Sequence, residues 1–238
     1  MTGDADIAAA AALLAEPARA QLVLAVIERG PLPASELARG AGIARSTASE
    51  HLARLVSAGF FVAEKEGRMR YFGLADDAVA DAVEALAVVA PRRPVRSLRE
   101  ATTGALLRSG RTCYDHLAGR LGVALARALE RERVIVRADA AYALGAQAEP
   151  YLANLGIDLA ELVRQRRPII RGCRDWTERD LHLAGSLGAA LAERFFELGW
   201  IRRRDTNRSV EVTAVGQAAL RRALGIDAAE YVDETRRS

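Results

Sequence analysis

The run His116-Leu117-Ala118-Gly119-Arg120-Leu121-Gly122-Val123-Ala124-Leu125 recurs as His182-Leu183-Ala184-Gly185-Ser186-Leu187-Gly188-Ala189-Ala190-Leu191, with changes only at Arg120/Ser186 and Val123/Ala189. Chance does not produce such a match, so the second half of the chain is expected to fold as two related parts. Each copy continues as a helix and then a short strand (Val134-Ile135-Val136; Gly199-Trp200-Ile201). A turn and a further helix follow, ending in Leu155-Gly156-Ile157-Asp158 or Leu224-Gly225-Ile226-Asp227. Two copies, spanning about 111–158 and 177–227, call for a pseudo-twofold domain, because a solenoid needs about three or more repeats. Trp200 to Arg204, Val210-Glu211-Val212-Thr213 and Gly216 read as a hairpin, so each half resembles a degenerate winged helix.

Pro91-Arg92-Arg93-Pro94 breaks the chain ahead of these repeats and sets the expected domain boundary, giving domains 1–91 and 92–238. Both have enough apolar residues for a core: 238 residues are 50% hydrophobic with a mean hydropathy of +0.00. No apolar run reaches the roughly 18 residues of a membrane span, and Met1 to Asp6 lacks a basic signal region, so a cytoplasmic protein without membrane attachment is expected. Two cysteines, Cys113 and Cys173, are too few for a disulfide framework and are read as free thiols, a reactive pair or ligands. The net charge of +3 and pI of about 9.2 allow an anionic partner without requiring one.

The first domain carries its own signature between Gly42 and Gly59. Ala48, Leu52 and Leu55 keep a helical core spacing, while Arg45, Ser46, Ser49, Glu50 and Arg54 line the opposite face with short hydrogen-bonding groups and long guanidiniums. Glu36 to Ile43 supplies a partner helix, and Gly42 permits the sharp turn between them. Pro17 starts an earlier helix whose Leu22 to Ile27 are apolar on most sides. After Gly59, Phe60 to Glu64 and Arg68 to Leu74 flank a turn at Lys65-Glu66-Gly67 and form a hairpin with Arg68 and Arg70 near its tip. Helix, turn, helix and hairpin in this order are a winged helix-turn-helix, suited to double-stranded DNA. Asp76 to Val89 is a further apolar-striped helix suited to dimerisation, and Val95 to Ser109 a basic one. The fold class is thus mainly α with small β-hairpin wings: a winged helix-turn-helix followed by an internally duplicated α+β domain.

The Arg45-Ser46-Thr47-Ala48-Ser49-Glu50-His51-Leu52 run and the wing Glu66-Gly67-Arg68-Met69-Arg70-Tyr71-Phe72 resemble the ArsR/SmtB family of winged-helix repressors, from Ile7 to about Val89. The resemblance implies a homodimer that binds a pseudo-palindromic operator and releases it on receiving a signal. It assigns DNA reading to Arg45, Ser46, Thr47, Ser49, Glu50, Arg68 and Arg70; Arg54 joins them from its place on the same face. His51 is either a phosphate contact or a packing residue under Leu55. Members that sense arsenic or cadmium carry a cysteine pair in the first helix of the motif, where this chain has Ser35-Glu36-Leu37-Ala38-Arg39. Zinc sensors place His on the dimerisation helix, and Asp76 to Val89 has none. Sensing is therefore expected after Pro94, where the chain also resembles the extended C-terminal region of some actinobacterial members.

Two windows concentrate the unusual chemistry there: Arg111-Thr112-Cys113-Tyr114-Asp115-His116, and Cys173 to His182 with Asp175, Trp176, Glu178 and Arg179. As an organic-effector pocket, the first reading of the signal, Tyr114 and Trp176 are aromatic walls and Asp115, Asp175, Glu178 and Arg179 orient polar groups. As a metal or thiol-redox site, Cys113, His116, Cys173 and His182 converge as soft ligands. The fold itself calls for no cofactor. A structural reading places each His at a helix start in front of Leu-Ala-Gly as a capping or packing residue, and leaves the cysteines buried and inert. Cys113 and Cys173 do not correspond in an ungapped alignment of the repeats, where Arg179 stands opposite Cys113. A cysteine enzyme needs Cys113 and His116 as nucleophile and base on one helix, and no orienting third group accompanies them; a non-enzyme is expected.

Overall fold

The computed structural model describes residues 4–91, 94–138, 141–205 and 207–227, so Arg92 and Arg93 of the expected linker lie outside the described residues. It divides into two compact units, one up to Val83 and one from Glu84.

In the first unit, α1 (Ile7–Ala15) and α2 (Pro17–Arg29) precede the short strand β1 (Leu32–Pro33), α3 (Ala34–Ala41) and α4 (Arg45–Ser57). The strands β2 (Phe61–Glu66) and β3 (Met69–Leu74) form the wing, in an antiparallel sheet ordered β1-β3-β2. Burial follows the helical spacing: Leu22, Val23, Val26 and Ile27 of α2 pack with Leu37 of α3, and with Ala48, Leu52 and Leu55 of α4, in the core. Each such fully buried Leu or Ile contributes about 1.5–3 kcal/mol. Gly42 takes a left-handed φ of 64°, and its N–H closes on the Ala38 and Arg39 carbonyls, turning the chain from α3 into α4. The α5 helix (Asp77–Val89) starts in this unit, but its Glu84 is buried and ion-paired with Arg208 in the second. The division therefore falls within α5, ahead of the break expected at Pro91.

After the end of α5, the second unit continues with α6 (Leu98–Ser109), which starts later than the expected Val95. The Ser97 hydroxyl accepts the Glu100 N–H while the Glu100 carboxylate accepts the Arg96 N–H, a capping arrangement that sets the first turn. There follow β4 (Arg111–Cys113), β5 (His116–Ala118), α7 (Gly119–Arg131), the hairpin β6 (Ile135–Ala138) and β7 (Ala141–Leu144), then α8 (Ala148–Asn154) and α9 (Leu159–Arg164). The order then begins again with β8 (Arg171–Arg174), β9 (Leu181–Ala184) and α10 (Gly185–Glu197). It closes with β10 (Ile201–Arg204), β11 (Asn207–Val212) and α11 (Ala214–Leu224). One sheet has the order β10-β11-β4-β5, and β6-β7 and β8-β9 pair separately.

Two sequence expectations are corrected here. His116 and His182 sit on strands, not at helix starts; the helices begin at Gly119 and Gly185, after the backbone has turned. Cys113 and Cys173, which an ungapped alignment does not match, occupy like places in their hairpins: Cys113 pairs in register with His116, and Cys173 with His182. The ungapped alignment failed because the second hairpin has the longer connection, which includes a turn from Asp175 to Asp180.

The two hairpins are crossed over by helices, α7 packing on β9 and α10 on β5. This requires glycine. A Cβ on Gly122 would lie 2.4 Å from the Leu117 carbonyl oxygen and 3.5 Å from the His182 Cβ. One on Gly188 would lie 2.5 Å from the Leu183 carbonyl oxygen and 3.2 Å from the His116 Cβ. Gly188→Ala should accordingly destabilise this unit by about 1–3 kcal/mol, since backbone must move to admit the methyl. A lowered urea midpoint followed by circular dichroism checks it; an unchanged midpoint would refute the close-packing argument.

Candidate DNA-reading face and cysteine–histidine cluster

On α4, Arg45, Ser46, Ser49, Glu50 and Arg54 are exposed and Thr47 is half-buried, opposite the buried Ala48, Leu52 and Leu55. The Ser49 hydroxyl donates to the Arg45 carbonyl, which leaves its lone pairs outward. Arg68 stands exposed at the wing turn, and the Arg70 guanidinium lies over the Phe72 ring at 5.3 Å. His51 is half-buried, with Nδ1 enclosed and without a hydrogen-bond partner among the described residues.

In the second unit the four side chains named from both windows come together. Sγ of Cys113 and of Cys173 are 3.9 Å apart, Nε2 of His116 and of His182 are 3.2 Å apart, and all four donor atoms lie within 4.8 Å of one another. The register of the two hairpins puts them there, since each cysteine faces the histidine of its own hairpin. Cys113, His116 and His182 are buried and Cys173 is half-buried.

Both imidazoles have a carboxylate behind them, and His116 is hydrogen-bonded to its own. His116 Nδ1 is 3.1 Å from Asp115 Oδ1, and His182 Nδ1 is 3.2 Å from Asp175 Oδ2. Each carboxylate is itself paired with an arginine, Asp115 with Arg167 and Asp175 with Arg111. Asp175 is wholly buried: Oδ2 also accepts the Gly119 N–H at 2.6 Å, and Oδ1 accepts the Thr177 N–H and hydroxyl. Burial alone would raise the Asp175 carboxyl, but His182, Arg111 and Thr177 overcome it and hold the group well below the ordinary carboxylate range. His116 is likewise pushed down by burial, and the hydrogen bonds to Asp115 and the Cys173 sulfur outweigh this and raise it. The thiols divide. Hydrogen bonding to Cys173, burial and the nearby Glu84 carboxylate push Cys113 up, whereas Cys113, His116 and His182 all stabilise a thiolate at Cys173 and bring it down.

Residues 14–63 match the family described as Helix-turn-helix domain. Among solved structures the chain is similar to the transcriptional repressor BigR from Xylella fastidiosa, at 25% identity over 37% of this chain and 89% of that chain, with a TM-score of 0.34. It is also similar to the cadmium metal-sensor CMTR from Mycobacterium tuberculosis, at 32% identity over 39% of this chain and 100% of that chain, with a TM-score of 0.31. A likeness that spans both units is to the uncharacterized HTH-type transcriptional regulator YdfF of Bacillus subtilis (strain 168). It is 37% identical over 221 residues, covering 93% of this chain and 98% of the relative. The chain belongs to the HTH-type transcriptional regulators.

This HTH-type regulator keeps its unusual side chains in the C-terminal unit. The other residues expected around an effector are spread over different tasks. Trp176 covers the Arg111 guanidinium at 4.7 Å, Tyr114 occupies the tight turn between β4 and β5 with φ of 57°, and exposed Arg179 closes the Asp175 turn. Glu178 lines a cleft with Arg120, Arg127 and Arg131, and none of the four donors borders it. From sequence, Arg111 stands at the start of its window without a role, and Arg167 is not picked out. A gapped comparison of the two Arg-x-Cys strands, Arg111-Thr112-Cys113 and Arg171-Gly172-Cys173, carries a signal for the first.

Among the described residues no single helix is long and apolar enough to cross a membrane; α1 and α2 pass such a test only as a pair bent by 92°.

Proposed function

We propose that this regulator is a dimeric cytoplasmic repressor that grips a pseudo-palindromic operator with α4 and the wing of each protomer. It lets go when a signal reaches Cys113, His116, Cys173 and His182. The convergence of four sulfur and nitrogen donors from two hairpins is the observation that carries this reading. It favours a metal or thiol signal over an organic effector, because Trp176 and Asp175 already have partners within the fold. Glu84 supplies a route outward. It sits on α5, the helix common to both units, and is close enough to Cys113 to raise that thiol. The C-terminal unit then acts as a receiver for the DNA-reading helix, not as an enzyme, and its two similarly ordered halves are read as a duplication.

A reporter fused to the chain's own upstream region tests the proposal. Wild-type protein should repress it, with relief of about 5–150-fold on signalling, the usual span of a coupling free energy. Cys113→Ser/Cys173→Ser should repress as well as wild type and resist relief by every stimulus that relieves the wild type. Relief of the double variant to the wild-type extent would overturn the assignment.

A further inference from the structure

We infer that Cys113, His116, Cys173 and His182 form a closed, four-coordinate site for one divalent zinc-group cation, Zn(II) or its softer congener Cd(II), which clamps the hairpin β4–β5 to the hairpin β8–β9. The inference rests on the proposed role of the same cluster and names what it receives.

Distances come first. A tetrahedral ion with bonds of about 2.3 Å to sulfur and about 2.0–2.1 Å to nitrogen needs edges of about 3.8 Å between sulfurs and about 3.3 Å between nitrogens. The cluster offers 3.9 Å and 3.2 Å. The four sulfur–nitrogen edges all lie within 4.8 Å, so at most small side-chain movements close the tetrahedron.

The imidazoles supply an independent argument. A carboxylate can only accept, so Asp115 keeps the proton of the neutral His116 ring on Nδ1, and the Asp175 carboxylate, 3.2 Å from His182 Nδ1, favours the same tautomer there by its charge. The two Nε2 atoms face each other across 3.2 Å, and either a shared proton or a metal ion between them satisfies both lone pairs. This is also the arrangement in which a carboxylate behind a histidine orients it towards a metal.

Charge selects the valence. Arg111 and Arg167 balance Asp175 and Asp115, so the two backing carboxylates bring no net charge. Binding M(II) displaces two protons to solvent, the Cys113 S–H proton and the one that the Cys173 sulfur shares with the histidines, and forms two metal–sulfur and two metal–nitrogen bonds. Two thiolates and two neutral imidazoles around a divalent ion leave zero net charge in a buried place. Copper(I) in the same site leaves a buried negative charge. With four protein donors there is no open position for a water or substrate, so the site binds and does not catalyse.

The test uses the full-length reduced chain, without oxygen, titrated with cobalt(II) chloride alone. Expected are one Co(II) per chain, tetrahedral visible bands, a thiolate-to-cobalt charge-transfer band, and loss of all three on adding Zn(II). Cys173→Ser should abolish the charge-transfer contribution of one sulfur and weaken binding at least about 100-fold. Asp115→Asn should keep the tetrahedral spectrum and weaken binding by about 10–100-fold, the range for residues behind a ligand. Because the wild-type titration decides the matter alone, a variant that fails to fold leaves the test intact. An octahedral spectrum, no binding at micromolar Co(II) or Zn(II), or undiminished binding by Cys173→Ser would overturn the inference. If the ion binds and the reporter stays repressed, the signalling role falls and the metal site stands. If no ion binds while peroxide relieves the wild type and spares the double cysteine variant, the signalling role stands as a thiol switch and the metal site falls.

Discussion

Asp175→Ala should destabilise the C-terminal unit by about 3–5 kcal/mol, the cost of breaking a buried ion pair by removing one partner. Arg111 and Asp175 have no solvent exposure, so the guanidinium left behind has no water to turn to. It would keep the Leu107 carbonyl and the Trp176 ring face, neither of which cancels a full charge. The Gly119 N–H, which starts α7, and the Thr177 hydroxyl would lose their acceptor as well. Denaturant unfolding followed by circular dichroism measures the loss, and a change under about 1 kcal/mol would show that the pair is not the keystone its burial suggests. Arg111→Met/Asp175→Leu should recover most of the stability, because removing both charges also removes their desolvation cost. The sign with pH follows from the depressed carboxyl. Its contribution is complete above the ordinary value of 3.8 and fades only as the pH falls below that towards the folded-state value.

What could be read from the residues and what could not divides by the range of the interactions. The winged helix is a matter of local spacing. Leu52 and Leu55 against Arg45 and Arg54 fix which side of α4 is inside, and Gly42 and Gly67 mark turns that few other residues would make. The cluster is different, because four donors from distant segments meet through strand pairings only three or four residues long. Strands so short leave no alternation to detect, and Leu-Ala-Gly after each histidine resembled the first turn of a helix. The correspondence of Cys113 with Cys173 was hidden by the longer Asp175 to Asp180 turn, which shifts the second cysteine away from its histidine in sequence while register holds it opposite in space. Arg111 is the hardest case. An arginine in a run of ordinary polarity reads as a surface residue, and only the carboxylate sixty-four positions later makes its complete burial tolerable.

Replacing Arg45, Arg54 and Arg68 together with Ala should abolish specific operator binding, and the single variants should divide the loss in a recognisable way. Arg45 opens α4, and in a helix-turn-helix the N-terminal residues of the second helix approach base edges. Its removal should cost about 1–3 kcal/mol and relax the preference at one base pair in each half-site. Arg68, at the exposed tip between β2 and β3, is placed for the backbone beside the groove. Arg68→Ala should weaken all sequences alike and reduce the dependence of log affinity on log salt by about one per contact, since one fewer phosphate is neutralised. Arg54, in the last turn of α4, tests the orientation of the helix: as a backbone contact it follows Arg68, and as a base contact it follows Arg45. Fluorescence anisotropy at several salt concentrations, with operator and scrambled DNA, separates the two behaviours. These arginines are exposed, so the variants should keep the wild-type unfolding midpoint. If all three singles bind operator with wild-type affinity and salt slope, α4 and the wing do not face the DNA.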